Sequence, residues 1–226
     1  MLLYGDIFVF ESCKTRSARG LIYKPGVIMI YETAYVLRTQ AGEAEVKAIK
    51  EVVEKSINEN GGEVLISDEW GVKTFAQATG SGETKGNYFY VMYKANGEIN
   101  TELERRFKIS EDVLKFIVVK LGLEKDKEEI VKAYKNPNHA TAEAGRDSDK
   151  ERKAFSKRKS CWFSAKKTEP DWKDPSTYGW LVNEFGKISP ARVTGLRPKY
   201  QRMATTAIKR GRCMGLISYM SRQTLR

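Results

Sequence analysis

Hydrophobic positions along the chain follow two periods, and their order predicts an α+β domain at the start of the regular patterning. Residues 30–38 (IYETAYVLR) are rich in β-branched and aromatic side chains, which indicates a strand. In residues 43–60 apolar side chains recur at helical spacing from Val46 to Ile57, and Gly61 then supplies a stop. The first two elements are therefore a strand and a helix.

The next stretch has the pattern of a β-hairpin. Residues 63–79 are a long strand candidate, a glycine-rich turn follows, and residues 87–95 (NYFYVMYKA) alternate between two faces. That alternation places Tyr88 and Tyr90 on one face and Tyr93 on the other. We nevertheless group these three tyrosines of the aromatic strand as candidates for contact with another domain.

A second helix and a fourth strand complete the unit. Asn96-Gly97 opens a helix that carries Leu103 and Phe107, and residues 112–121 (DVLKFIVVKL) are too apolar for an exposed strand. The order βαββαβ is the split ferredoxin-like arrangement, with two helices on one face of a four-stranded antiparallel sheet. We assign this domain to residues 29–121.

A charged segment separates this domain from a second one. Residues 122–151 have the mixed-charge composition of a linker, and their first dozen residues can extend as a helix with Tyr134 on its apolar side. His139 lies in this segment, where a lone histidine rarely has a chemical role. Residues 152–226 are predicted to form a small, basic, all-helical domain.

Two helices are predicted within residues 152–226. Asp174 is a suitable N-cap with Pro175 at the first helical position, and the apolar spacing from Tyr178 to Phe185 predicts a short core helix that ends at Gly186.

A longer helix is expected over residues 198–212. Its apolar stripe runs from Tyr200 to Ile208 through Met203, Ala204 and Ala207, while the cations Lys199, Arg202 and Lys209 project from the other side. One face packs and the other is cationic.

Charge sharpens this division of the chain. Residues 152–226 hold 18 Lys+Arg against four acids, a net charge of +14, whereas the first 151 residues carry 22 basic and 25 acidic groups, a net charge of −3. Acids are almost absent from the second domain, and contact with phosphate explains that absence better than a solvated basic surface does. Nucleic acid is the expected partner.

Candidate chemistry is sparse. Three widely spaced cysteines (Cys13, Cys161 and Cys213) and a single histidine suit a reducing compartment and do not provide a closed zinc site. The carboxylates of the first domain are scattered and no histidine accompanies them, so we predict no catalytic residues, no metal and no cofactor. The apolar runs fall short of the roughly 20 residues of a bilayer span. We expect a cytoplasmic protein without membrane contact.

Two stretches of the chain resemble known protein families. Gly186 to Arg212 (GKISPARVTGLRPKYQRMATTAIKRGR), preceded by RKSCWFS and by Asp174 with its helix, is similar to bacterial small-subunit ribosomal protein eighteen. Residues 29–121 resemble bacterial small-subunit ribosomal protein six through YETAYVLR, the Asp-Glu-Trp-Gly corner at residues 68–71, Gly86-x-Tyr88, and ISEDVLKFIVV.

The resemblance implies a function in the ribosome. In these families the two proteins are separate chains that pair on the central domain of the small-subunit ribosomal RNA, in the platform, among neighbouring small-subunit proteins. Here both would be carried on one chain, as a fusion whose two domains dock intramolecularly. We predict docking through Tyr88, Tyr90 and Tyr93. The predicted RNA-binding residues are Lys157, Arg158, Lys159, Trp162, Arg192, Arg197, Lys199, Arg202, Lys209, Arg210 and Arg212.

Some positions depart from the family patterns. The stretch from Val72 to Ala78 lacks the Arg-rich run and the Tyr-Pro of the first family, which puts RNA contact from that strand in doubt, and Lys115 stands where Arg is common. Residues 1–28 lie outside both resemblances, and we expect a disordered extension there. An RNA-binding regulator that acts off the ribosome, on a structured messenger RNA, would use the same surface and is the alternative function.

Overall fold

The computed structural model describes residues 28–137 and 160–220. Residues 28–137 hold four strands and three α-helices: β1 (Met29–Leu37), α1 (Glu43–Glu59), β2 (Glu63–Thr74), β3 (Lys85–Ala95), α2 (Glu98–Ile109), β4 (Val113–Leu123) and α3 (Lys127–Ala133). Residues 160–220 hold α4 (Trp162–Lys166), two single-turn 3-10 helices (Pro175–Thr177 and Gly179–Leu181), α5 (Ala191–Thr194) and α6 (Pro198–Cys213). No helix in the described part of the chain is long and apolar enough to cross a membrane.

The four strands form one antiparallel sheet in the order β2-β3-β1-β4. β1 and β3 occupy its centre, and these two strands carry most of the aromatic residues of the sheet. The predicted α+β class, with a ferredoxin-like βαββαβ sheet followed by a helical region, is confirmed.

The helices α1 and α2 cover one face of the sheet. Alternation along the strands sends Tyr35 of β1 and Phe89 of β3 to this face, where they meet Leu103 and Phe107 of α2. The rings of Tyr35 and Phe89 stack with their centroids 5.3 Å apart. This layer is an ordinary apolar core between helices and sheet.

The opposite face of the sheet contacts residues 160–220. One cluster of buried residues runs from Ile30, Val36 and Trp70 of the sheet to Phe163 and Ile208 of the helical part. The face that a two-layer α+β fold leaves uncovered is thus apolar and is covered by the second half of the chain.

β2 ends earlier than predicted. The sequence predicts a strand to residue 79, but the ladder stops at Thr74. Phe75 is buried, and the Ala76 N–H donates to the carbonyl of Gly215 at 2.8 Å instead of pairing within the hairpin. A tertiary hydrogen bond therefore takes the place of a hairpin bond at Ala76.

The short helix predicted from Pro175 to Phe185 is wrong. Asp174 does accept a hydrogen bond from the Ser176 N–H at 3.1 Å, as an N-cap does, but two 3-10 turns follow it and Phe185 is 73% exposed. Ser, Thr, Tyr and Gly are weak helix formers, and burial of Tyr178, whose hydroxyl donates to the Trp172 carbonyl, fixes the tighter turns.

Residues 124–137 do not behave as a linker. A 3-10 turn (Glu124–Asp126) and α3 bring Ile130, Val131 and Tyr134 against the buried cluster, on the side that the sequence predicts. Tyr134 stacks on Tyr90 with ring centroids 4.7 Å apart, and its hydroxyl donates to Asp68 at 2.8 Å. We call residues 124–137 the strap, because they cross the sheet at the boundary between the two parts.

Candidate RNA-binding surface and interdomain contact

The cations of α6 lie on the face of that helix that points away from the core. Lys199, Arg202 and Lys209 are exposed, whereas Ala204 and Ile208 are fully buried. A helix turn of 3.6 residues places these two groups on opposite sides. The geometry of the cationic face follows the predicted pattern, and its role in RNA binding stays a prediction.

Two further predicted cations precede α6. Arg192 in α5 and Arg197 just before α6 are both exposed. Gly195, at φ +75°, turns the chain between them, a conformation that L side chains rarely adopt. Arg210 is half-buried on α6. Predicted cations therefore lie on α5, at the residue before α6 and on α6 itself.

Arg212 has a structural environment that the sequence does not predict. Its guanidinium donates to the carbonyl of Gly186, at the turn after the second 3-10 helix, and lies over the ring of Tyr219 at 5.5 Å. The side chain thereby ties α6 to the loop at residue 186. Lys157, Arg158 and Lys159 lie outside the described residues.

Trp162 is half-buried in an aromatic group. Its ring lies edge-on to Phe163 at 4.9 Å and tilted against Trp180 at 5.9 Å, and the ammonium of Lys166 lies 4.8 Å from its centroid. Tyr200 stacks on Phe163 at 5.8 Å. The neighbouring Trp180, which sequence analysis does not single out, is 46% exposed.

A buried ion pair joins the two halves of the chain. Glu32, in the middle of β1, is 1% exposed and accepts hydrogen bonds from Trp172 Nε1 at 2.8 Å and Tyr90 Oη at 2.9 Å. Lys173 Nζ lies 3.0 Å from Glu32 Oε2. The carboxylate therefore has donors from both the sheet and the helical part.

Aromatic rings enclose the same lysine. The ammonium of Lys173 lies 5.5 to 5.8 Å from the ring centroids of Tyr90, Tyr134 and Trp172. A cation above ring faces in a desolvated site gains up to about 2 kcal/mol from each favourable contact. We call this group, Lys173 with Glu32 and the three rings, the lysine cage. It combines residues from β1, β3, the strap and the helical part.

The lysine cage is not evident from the sequence pattern. A sign of it is present, because Glu32 interrupts a face of β1 that is otherwise apolar at Ile30, Ala34 and Val36. A carboxylate at such a position needs a donor from another element. The partner is Lys173, which lies 141 positions later in the chain. No pattern in the sequence around Lys173 identifies it as that partner.

The three tyrosines predicted for docking divide between the two faces of the sheet. The Tyr88 hydroxyl donates to the carbonyl of Met214 at 2.6 Å, and Tyr90 reaches the helical part through Glu32. Tyr93 instead lies on the helix-covered face, where its hydroxyl donates to Asn100 at 2.8 Å. The structure thus corrects the prediction for Tyr93, since a period of two fixes its face.

Burial changes the acidity of groups along this contact. Desolvation raises the pKa of Tyr90 well above 10, and the negative charge of Glu32 and the hydrogen bond to it raise this pKa further. Burial likewise raises the pKa of Tyr88 and Tyr178. Burial lowers the pKa of Lys115, which lies over the ring of Phe75 at 5.9 Å. The three tyrosines face protein and not solvent, whereas Lys115 is half-buried.

Two family models match the chain in different places. Residues 30–120 match the model of Ribosomal protein S6, and residues 166–217 match the model of Ribosomal protein S18. Residues 30–120 include nearly the whole sheet, and residues 166–217 include α6, its cationic face and Lys173.

Individual proteins are also similar to this chain. The small ribosomal subunit protein bS6 of a Nitratiruptor species is 34% identical over 96 residues, which cover 42% of this chain and 74% of that protein. The bS6 protein of Helicobacter acinonychis is 36% identical over 115 residues, 49% of this chain and 80% of that protein. The crystal structure of 30S ribosomal protein S6 from Thermotoga maritima is 21% identical, with a TM-score of 0.41, and covers 46% of this chain and 95% of that one.

The fold and both matches define a structural protein of the small ribosomal subunit. The chain belongs to the bS6 family of ribosomal proteins, and it carries a segment of the S18 family on the same polypeptide. The predicted fusion of the two is confirmed.

Proposed function

We propose that this chain is a fused pair that binds the central domain of small-subunit ribosomal RNA in the platform. The observation that carries the proposal is the exposed cationic face of α6, together with the exposed Arg192 and Arg197 that precede this helix in the chain. Backbone phosphates are the natural partners of such a face, because A-form RNA is recognised mainly through its shape and backbone.

The second part of the proposal is that the two domains dock in cis and act as one unit on the cytoplasmic ribosome. The lysine cage and the hydrogen bond from Tyr88 to Met214 support it, since both pair buried polar groups across the boundary. Separating the domains would expose Trp70, Phe75 and Tyr88, a large apolar surface. The fusion of both domains in one chain also fixes their one-to-one ratio.

Sedimentation tests the ribosomal function. We expect an epitope-tagged chain, expressed from its own locus, to comigrate with small subunits in stoichiometric amount on a sucrose gradient. Crosslinking of these subunits should recover nucleotides of the central domain. A matched variant with Lys199, Arg202 and Lys209 replaced by Ala should fold and yet be depleted from small subunits.

Two outcomes would contradict the proposal. A chain found only at the top of the gradient, bound to a messenger RNA, would identify an off-ribosome regulator. Crosslinks that lie entirely outside the central domain would remove the platform assignment while leaving the chain a ribosomal protein.

A further inference from the structure

Trp180 differs from the other tryptophans of the described chain in its exposure. Trp70 and Trp172 are each 2% exposed, Trp162 is half-buried, and Trp180 is 46% exposed. Its neighbours Tyr178 and Leu181 are fully buried. The 3-10 turn therefore places one large aromatic ring at the surface between two core residues.

The ring of Trp180 is held in place although it is exposed. Its Nε1–H donates to the carbonyl of Thr177 at 3.1 Å, so the polar atom of the indole is already satisfied. One part of the ring packs against Trp162 at 5.9 Å and Phe163 at 6.3 Å. A ring fixed in this way loses little conformational entropy when a ligand stacks on it.

Positive charge borders these rings. Lys166, whose ammonium lies over the Trp162 ring, and Lys167 are both exposed at the end of α4. The nearest acid in sequence, Glu169, pairs with Lys199 at 3.2 Å, so its charge is compensated. Aromatic rings beside lysines are the composition of a surface that stacks bases and contacts the adjoining phosphates.

We propose that Trp180, with Trp162 beside it, is a stacking site for an unpaired base of RNA, flanked by Lys166 and Lys167 for the adjacent phosphate. The proposal rests on the RNA-binding function proposed above and adds a ligand class to it. The cationic face of α6 contacts backbone phosphates of folded RNA, whereas the tryptophan pair selects a nucleotide that is out of the stack. Every base has a π-face, so the site requires an unpaired base and not a particular sequence.

Binding of the full chain to two probes tests the site. The probes are a labelled single-stranded oligoadenylate and a blunt RNA duplex of the same length, which offers no unpaired base. We expect Trp180→Leu to weaken binding of the single strand about tenfold, within the range known for loss of one base–aromatic stack, and to leave duplex binding unchanged. Stacking releases no counterions. The slope of log affinity against log salt should therefore be the same for Trp180→Leu as for wild type.

Matched variants separate stacking from other effects. Trp180→Phe keeps an aromatic ring and should retain most of the affinity, and Phe185→Leu removes another exposed aromatic ring of the same domain and should have no effect. Lys166→Ala should reduce the salt slope, which Trp180→Leu does not. Tryptophan fluorescence should be quenched by the single strand in wild type and less in Trp180→Leu, because Trp70 and Trp172 are buried. Thermal melts of all variants check that they fold.

The outcomes are distinct. Equal binding of the single strand by wild type and Trp180→Leu overturns the stacking site. An equal loss on the duplex also overturns it, since the effect would not depend on an unpaired base. If RNA binding is unchanged but Trp180→Leu no longer joins small subunits, the surface contacts a protein. If the wild-type chain binds neither probe and is also absent from small subunits, the RNA-binding function itself has failed. If it binds neither probe yet joins small subunits, the stacking site alone is overturned.

Discussion

The lysine cage concentrates the energetics of the interdomain contact in a few side chains. We predict that Lys173→Met destabilises the full chain by about 3 to 5 kcal/mol, because it leaves the carboxylate of Glu32 buried without its cation. Glu32→Gln should cost less, since Asp171 still lies 3.4 Å from the lysine. The double variant should cost less than the sum of the two. Urea unfolding followed by circular dichroism measures all three.

An exposed ion pair of the same domain provides the control. Lys199 and Glu169 are 3.2 Å apart but have side chains 69% and 58% exposed. Lys199→Met should cost less than about 1 kcal/mol, as surface pairs do. Equal losses from Lys199→Met and Lys173→Met would show that the cage does not hold the two halves together.

Tyrosine ionisation should set the alkaline limit of stability. Tyr88, Tyr90 and Tyr178 have pKa values raised above 10, chiefly by burial, so the folded state keeps their protons while the unfolded state releases them near pH 10. Stability is then fully present below pH 10 and falls as the pH rises further. We expect tyrosinate absorbance from these residues to appear together with the loss of near-ultraviolet circular dichroism. Ionisation in a chain that is still folded would contradict the prediction.

For individual residues, the sequence predicts some structural features and not others. The face of Tyr93 follows from the period of two, and the alternation predicted for residues 87–95 already excludes it from the contact that Tyr88 and Tyr90 make. The partner of Glu32 does not follow, because pairing with Lys173 depends on how two domains meet. Local pattern determines the face of a side chain, and only the tertiary structure determines its partner.

At the scale of elements, the β2–β3 hairpin depends on close packing at Gly86. A Cβ on Gly86 would lie 2.3 Å from Val36 Cγ1 and 2.7 Å from Phe75 Cζ. We predict that Gly86→Ala destabilises the chain by about 1 to 3 kcal/mol through overpacking. Gly80, in the loop that joins the strands, has no atom within 4 Å of such a Cβ. Gly80→Ala should therefore leave the thermal melting temperature nearly unchanged, and similar melts for the two variants would contradict the packing argument.

The two faces of α6 should respond to substitution in opposite ways. Replacing Lys199, Arg202 and Lys209 by Ala should spare folding and should lower the slope of log affinity for RNA against log salt by roughly 0.7 to 0.9 for each lost phosphate contact. Ile208→Asp should unfold the helical part, because Ile208 is fully buried and an unpaired carboxylate there costs several kcal/mol. Salt titration of RNA binding beside a thermal melt measures both effects.

An unchanged salt slope in the triple variant would place the RNA surface elsewhere. A collapsed melt would show that the cations of α6 pack against protein. Arg212→Ala is a useful contrast, because its bond to the Gly186 carbonyl predicts a loss of stability in place of a loss of salt dependence.

Sequence analysis predicts the elements with strong periodicity and fails where packing competes with it. The strands, α1, α2 and α6 follow from alternation or helical spacing, and each begins within two residues of its predicted start. The segment from Pro175 to Leu181 has helical spacing too, yet it forms 3-10 turns. The spacing indicates that Tyr178 and Leu181 are buried. It does not determine whether the backbone makes α-helical or 3-10 hydrogen bonds.

At the scale of the whole molecule, the charge pattern predicts a basic helical part but does not predict where the strap packs. Exposed cations lie on α5 and α6 of that part, and the strap packs on the sheet beyond residue 121 and adds Tyr134 to the lysine cage. The strap has the mixed-charge composition of a linker because its outer side is solvated. Its apolar side consists of Ile130, Val131 and Tyr134. This apolar pattern is too short to predict from the sequence that the segment packs against the sheet.

The covalent connection between the domains should matter most when their contact is weakened. We predict that the halves of the wild-type chain, cut at a protease site introduced between residues 138 and 159, still elute together at micromolar concentration, because the apolar face and the lysine cage remain buried. Lys173→Met should separate once cut, while the uncut variant stays docked, since a tether supplies an effective concentration of about millimolar. Gel filtration of cut and uncut chains measures this, with Lys199→Met as the control that stays together. Separation of the cut wild-type halves would mean that the tether, and not the interface, holds the two domains in one unit.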